Sequence, residues 1–309
     1  MNDEDIGREP AAPPGAAGET PFRSGYAAIC GPPNAGKSTL LNRLIGERLA
    51  ITTSRPQTTR RRMLGILSGE GFQIVFVDTP GILEPRYALQ SAMMKEVGRA
   101  LADADLLLLV TDIRAAELAP GVFEAARRKP LVVALNKADL VADRETSLPI
   151  LDRLRAQAPE AEFFVLSALR GGGVDALRAR LIELLPAGAP FYPPDQLTEH
   201  PERFFASELV REAIFERFHQ EVPYSTEVQI DEFKERDAGK DYIAATIFVE
   251  SESQKGILIG RGGRAIRDLG HQARGAIESF LGRPVYLELR VKVLPDWRKD
   301  PRALRRFGY

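Results

Sequence analysis

The sequence predicts an α/β domain built on a mainly parallel sheet, followed by a smaller α+β domain. Three observations carry this. Residues 25–30 form a short apolar run that ends in a glycine-rich turn, and an apolar helical pattern follows. Strand-like and helix-like stretches then alternate as far as residue 185, as in a sheet covered by helices on both faces. Beyond a proline-rich stretch the order changes to helix, strand, strand, helix, tight loop, helix, strand.

Residues 1–24, rich in Pro, Ala, Gly and Glu, read as a disordered tail. Residues 25–30 supply the first buried strand. Residues 63–67 and 72–77, joined by a short turn, read as an antiparallel hairpin. Further buried strands are expected at 106–110, 131–135 and 163–166, with helical patterns at 89–101, 122–128, 148–156 and 174–185. The first domain is therefore set at 25–185. Pro186, Pro190, Pro193, Pro194 and Pro201 exclude a helix interior or a central strand, so 186–204 reads as a linker. The second domain, 205–309, is expected to hold a helix at 208–218, strands at 226–233 and 242–249, and a short helix at 255–259. A loop at 260–263, a helix at 264–281, a strand at 285–293 and a basic tail complete it.

The chain has 309 residues, enough for about two domains, and its 44% hydrophobic and 28% charged residues are an ordinary globular balance. One cysteine, Cys30, excludes an internal disulfide and a Cys-rich zinc site and suits a reducing, cytoplasmic compartment. His200, His219 and His271 are too scattered for a metal cluster. No apolar run reaches the roughly eighteen residues of a membrane span, and the N-terminus lacks the basic-then-apolar order of a secretory signal.

The turn after the first strand reads Gly31-Pro32-Pro33-Asn34-Ala35-Gly36-Lys37-Ser38, a Gly-x-x-x-x-Gly-Lys-Ser phosphate-binding loop. Free backbone N–H groups and a helix N-terminus there suit phosphate. Lys37 is expected at the β- and γ-phosphates, the Ser38 hydroxyl on Mg²⁺, and Thr39 in the same nucleotide-binding set. Asp78, Thr79, Pro80 and Gly81 follow the second buried strand; the Asp78 carboxylate can reach Mg²⁺ and the Gly81 N–H can sense the γ-phosphate. Asn136, Lys137, Ala138 and Asp139 follow the 131–135 strand. Guanine offers two N–H donors on one edge, which a carboxylate at Asp139 accepts together; adenine lacks that pair. Asn136 can brace the loop, the Lys137 stem can cover the base, and Ser167, Ala168 and Leu169 can supply a backbone N–H to the guanine carbonyl. In the polar segment 52–62, Thr59 is taken as a second hydroxyl for Mg²⁺, with Thr58 as the alternative.

These motifs, in this order, resemble the translation-factor-related class of P-loop GTPases, and the Gly-x-Pro-Asn-x-Gly-Lys-Ser form looks like its Era branch. Ile82 stands where Ras-like enzymes carry a water-orienting glutamine, as is usual in this class, and implies slow intrinsic turnover. Asn34 occupies the position where related GTPases use asparagine to ligate K⁺. The resemblance leaves two roles for it, a K⁺ ligand or a brace of its own loop. Lys37, Asn34, Thr59 and Gly81 are the residues expected to serve catalysis.

In the second domain Gly260-Arg261-Gly262-Gly263 is a Gly-x-x-Gly loop between two helices, followed by Arg264, Arg267 and Arg274. The order of elements is that of a type II KH domain, whose loop approaches the backbone of about four single-stranded nucleotides. Charge agrees: residues 201–250 hold six Lys/Arg and twelve Asp/Glu, whereas residues 251–309 hold thirteen and six. Gly260, Arg261, Gly262, Gly263, Arg264 and Arg267 are the expected RNA contacts.

A GTPase domain followed by a type II KH domain is the arrangement of the Era family, and the resemblance runs from residue 25 to the end. Stretches 191–198, 201–204 and 221–224 look like the family's linker region; Ala35 departs from the more common valine. The resemblance implies hydrolysis of GTP to GDP and phosphate. It also implies binding of the 3′ end of small-subunit ribosomal RNA under control of the nucleotide state, during maturation of the small ribosomal subunit. A monomer in the cytoplasm, with peripheral contact to the inner membrane, is expected. Two rival readings stand beside it. A GTPase of a tRNA-modification or tandem-domain branch is opposed by the single nucleotide domain with its appended Gly-x-x-Gly fold. An RNA-binding module with a relic nucleotide domain is opposed by intact Lys37, Ser38, Asp78 and Asp139.

Overall fold

A six-stranded sheet in the order β2-β3-β1-β4-β5-β6 forms the first domain of the computed structural model. Residues 21–53, 55–115, 120–126, 128–141 and 148–309 are described, so residues 1–20 of the tail expected over 1–24 lie outside them. Strands β1 (Arg23–Cys30), β3 (Phe72–Asp78), β4 (Leu106–Asp112), β5 (Leu131–Asn136) and β6 (Glu162–Val165) are parallel, and β2 (Met63–Gly69) pairs antiparallel with β3. The central strands are buried on both faces, which is why they read as unbroken apolar runs. Helices α1 (Lys37–Ile45) and α5 (Val174–Glu183) contribute to the core on one face. Helices α2 (Ala88–Asp103), α3 (Pro120–Ala126) and α4 (Leu148–Gln157) contribute to the other.

Helix α6 (Glu202–Arg217) opens the second domain, followed by β7 (Glu227–Lys234), β8 (Asp241–Val249), α7 (Glu252–Ile259), α8 (Arg264–Leu281) and β9 (Val285–Val293). Its sheet has the order β7-β8-β9, antiparallel then parallel. α6 and α8 cover one face of it, with Val210, Ile214, Leu269, Ala273 and Ile277 in the core.

Two expected boundaries shift. Arg23 and Ser24, placed in the tail, are part of β1; Arg23 pairs with Phe72 and its guanidinium donates to the Leu185 carbonyl at 2.7 Å. Helix α6 starts inside the expected linker, whose preceding residues pack on the first domain. Leu197 accepts from the Ile66 N–H at 2.7 Å and Thr198 Oγ1 donates to the Leu64 carbonyl at 2.7 Å, so the segment covers the edge strand β2. Pro201 occupies the N-cap of α6, where a proline interrupts no helical bond, so the helix begins directly after it rather than beyond residue 204.

The basic tail is a folded element. Helix α9 (Pro301–Phe307) turns Ala303, Leu304 and Phe307 inward against Leu89 and Met93 of α2 and Phe248 of β8. Trp297 is fully buried and donates from Nε1 to the Ser225 carbonyl at 2.9 Å. Arg298 pairs with Glu250 and lies over the Tyr87 ring. Among the described residues no helix is long and apolar enough to cross a membrane.

Candidate active site and nucleic-acid interface

Strand ends β1, β3 and β5 and the loop after β6 meet at one cleft of about 880 Å³, open mouth included, at the carboxyl edge of the sheet. Pro33, Asn34, Gly36, Lys37, Ser38, Thr39, Thr58, Thr59, Gly81, Asn136, Lys137, Asp139, Ala168 and Leu169 line it. Gly31, Ala35, Asp78, Thr79, Pro80 and Ser167 are buried behind that wall, and the Pro32 carbonyl holds Lys37 Nζ at 2.9 Å. Two glycines are dictated by contact. Gly36 sits at φ 92°, and a Cβ there would fall 2.3 Å from Asn136 Nδ2. A Cβ on Gly81 would fall 2.8 Å from the Pro33 backbone.

At the phosphate end, Ser38 Oγ donates to Asp78 Oδ2 at 2.7 Å and lies 3.0 Å from Thr59 Oγ1. Burial pushes the Asp78 carboxyl up to about 6, against the opposing pull of Lys37 and of hydrogen bonds from Ser38, Thr59 and Thr79. Burial likewise pulls the Lys37 ammonium below its ordinary value, while Asp78 opposes it. Asp78 Oδ1 is buried without a hydrogen-bond partner among the described residues. One carboxylate with an orphaned oxygen and two hydroxyls is a donor set that fits Mg²⁺, which takes few protein oxygens and completes its shell with phosphate and water. Thr59, rather than Thr58, is the threonine whose hydroxyl faces this cluster. Ile82 packs against the core on the α2 face, so its side chain has no means to orient water. Asn34 is exposed at φ 60°, and its side chain makes no hydrogen bond to the described residues.

At the base end, Asn136 Nδ2 donates to the Ala35 carbonyl at 2.8 Å and its Oδ1 accepts from the Ala168 N–H at 2.9 Å. One side chain therefore ties the phosphate loop to the loop after β6. Because the Ala168 N–H is committed there, and Ser167 N bonds Gly172, Leu169 supplies the uncommitted N–H of the three. Asp139 is exposed at the mouth and accepts from Ser167 Oγ. Leu140 and Leu169, 53% and 65% exposed, flank it as apolar surfaces for a flat ring. Sequence reasoning missed two supports. Asp112, at the end of β4, holds Lys137 Nζ at 3.1 Å. Arg43 of α1 donates to the carbonyls of Ala168 and Leu169 at 3.2 and 2.7 Å. Asp112 extends a strand that was expected to stop at 110, and Arg43 looks like any exposed helical arginine until the fold brings the loop to it.

The second candidate site is the groove beside residues 260–263. Gly262 and Gly263 adopt φ 61° and 73°, with open space where a Cβ would stand. Arg261, Arg264 and Arg267 are exposed, and none is ion-paired among the described residues. The groove runs between α8 and the outer edge of β9, with Ile266, Leu287 and Leu289 as apolar lining beside Arg267 and Arg274. Charges beside an apolar floor match a chain of phosphates carrying unstacked bases.

Comparison with known proteins agrees with both halves. Residues 26–137 match the family described as 50S ribosome-binding GTPase, and residues 221–298 match the KH domain family. GTPase Era of Nitratidesulfovibrio vulgaris is 43% identical over 302 residues, covering 94% of this chain and 98% of that protein. The chain belongs to the Era family of GTPases. It hydrolyses GTP to GDP and phosphate, with a P-loop GTPase domain followed by a KH domain. GTPase Era of Geobacter metallireducens is also 43% identical, over 94% of this chain and 99% of its own length. Two solved Era structures superpose with a TM-score of 0.88 at 39% identity, each covering 93% of this chain and 99% of the other. One is a variant of Aquifex aeolicus Era bound to GDP·AlF₄⁻; the other is Era in complex with MgGDPNP and nucleotides 1506–1542 of 16S ribosomal RNA.

Proposed function

We propose that this Era GTPase binds the 3′ end of small-subunit ribosomal RNA in the groove beside Gly262 and Gly263, and that the nucleotide in the cleft controls that binding during small-subunit maturation. The observation that carries the proposal is the set of three exposed arginines, Arg261, Arg264 and Arg267, which have no ion pair among the described residues and surround an open glycine loop. The RNA-bound Era relative supports the choice of ligand. Lys37 serves the β- and γ-phosphates, the Gly81 N–H senses the γ-phosphate, and Asp139 reads guanine. Ser38, Thr59 and Asp78 hold Mg²⁺, which supplies positive charge to the phosphates when bound. Asn34 holds K⁺, because its side chain faces the cleft without the loop hydrogen bond that a bracing role requires. The reaction belongs in the cytoplasm, and the chain acts as a monomer.

The test is RNA affinity of the full chain carrying Gly262→Asp with Gly263→Asp, measured on an oligonucleotide of the 16S 3′ end. Affinity should fall at least about tenfold, since two carboxylates would meet phosphate, while GTP turnover in the absence of RNA is retained. Unchanged RNA affinity would refute the assignment of the groove.

A further inference from the structure

Thr59 sits in a stretch without regular structure between α1 and β2, so no helix or strand of its own domain dictates its position. The residues on either side of it are held by the second domain. The Thr58 carbonyl accepts a hydrogen bond from the Arg211 guanidinium of α6. The Arg60 side chain, 4% exposed, donates to the carbonyls of Pro223, Tyr224 and Thr226 at 3.2, 2.9 and 2.6 Å and pairs with Glu227 at 3.0 Å. Arg211 is itself only 2% exposed. A charge enclosed to that degree persists only with fixed partners. Arg211 has two: Glu208 on its own helix at 2.8 Å, and the Thr58 carbonyl from the other domain.

We infer that Arg211 is a positioning residue for GTP hydrolysis: by holding the Thr58 carbonyl it sets the reach of the Thr59 hydroxyl towards Ser38 and Asp78, so the KH domain completes the triphosphate site. The inference rests on the reading of Thr59 as the hydroxyl that serves Mg²⁺ and the γ-phosphate. Thr59 Oγ1 lies 3.0 Å from Ser38 Oγ in the held loop, whereas Lys37 and Ser38 belong to α1 and the base-reading loops follow directly on β5 and β6 of the first domain. Loss of Arg211 therefore acts on the triphosphate state and spares the diphosphate. Arg211→Lys keeps the charge but loses the planar fork that reaches two partners at once. Arg211→Met alone strands Glu208, so the paired variant Glu208→Gln with Arg211→Met removes the contact without leaving a buried unpaired charge.

The experiment measures, in the full chain, affinity for GDPNP and for GDP, single-turnover GTP hydrolysis, and the Mg²⁺ concentration giving half-maximal rate. For Arg211→Lys and the paired variant, GDPNP affinity and hydrolysis should fall about tenfold and the Mg²⁺ requirement rise, with GDP affinity within about twofold of the parent. Thr59→Ala should show the same split. Equal losses for GDP and GDPNP, as a merely structural role would give, overturn the inference. A split in Thr59→Ala with none in the Arg211 variants also overturns it, leaving the reading of Thr59 intact. No split in Thr59→Ala overturns the reading of Thr59 and the inference with it.

Discussion

The Lys137 ammonium lies 3.1 Å from the Asp112 carboxylate, so the side chain expected to cover the base is anchored from the end of the neighbouring strand. Arg114 grips the same carboxylate at 2.7 Å and, with Lys137, holds it well below the usual carboxylate range. Lys137 itself sits at φ 66°, a conformation that needs support in a residue other than glycine. Asp112→Ala should release Lys137 and weaken GDP binding by about tenfold, the scale of one partly screened charged hydrogen bond. Titration with a fluorescent GDP checks this; unchanged affinity would show that Lys137 needs no anchor.

Asp139 stands exposed at the mouth, accepting only from Ser167 among the described side chains. Asp139→Asn exchanges an acceptor for a mixed donor and acceptor. The variant should lose GTP affinity by at least about tenfold and gain xanthosine triphosphate, because a mismatched buried polar group costs about 1–3 kcal/mol. Competition between the two nucleotides measures it. Retained preference for GTP would move the reading of the base elsewhere.

With Ile82 packed against the core, charge between the β- and γ-phosphates needs another source. The K⁺ role proposed for Asn34 predicts faster single-turnover hydrolysis in KCl than in matched NaCl, with the difference abolished by Asn34→Ala or Asn34→Asp. Equal rates of the parent protein in both salts would exclude potassium.

The C-terminal segment should matter to stability. Trp297 meets Phe307 edge-on at 5.4 Å, and Arg60 lies over its ring at 5.7 Å. Trp297→Ala should cost about 3–5 kcal/mol, the usual loss for a fully buried large aromatic, and lower the urea midpoint accordingly. A surface tail would lose almost nothing.

That segment also marks where sequence reading ran out. The phosphate loop, Asp78 and Asn136 were legible because each is short, follows an apolar strand, and does its work through neighbours in sequence. The C-terminus reads as a basic tail because Arg302, Arg305 and Arg306 stand out in it, although Ala303, Leu304 and Phe307 form an apolar helical stripe. Seven residues are too few for that periodicity to stand out, and their partners, Leu89 and Met93, are about two hundred residues away in the chain. Arg60, Arg61 and Arg211 were equally opaque. As a string they look like solvated charge, yet Arg60 is enclosed, Arg61 lies over the Tyr309 ring at 4.6 Å and pairs with Glu227, and Arg211 crosses to Thr58. Contacts between domains leave no local pattern, so only the fold exposes them.

Control of the groove by the cleft, as proposed, requires RNA affinity to depend on the bound nucleotide. Its most direct test is the affinity of the full chain for an oligonucleotide of the 16S 3′ end, measured with saturating MgGDPNP and again with saturating MgGDP. Binding should be at least about fivefold tighter with GDPNP, the lower end of ordinary coupling between two sites. Equal affinity in the two nucleotide states would contradict it.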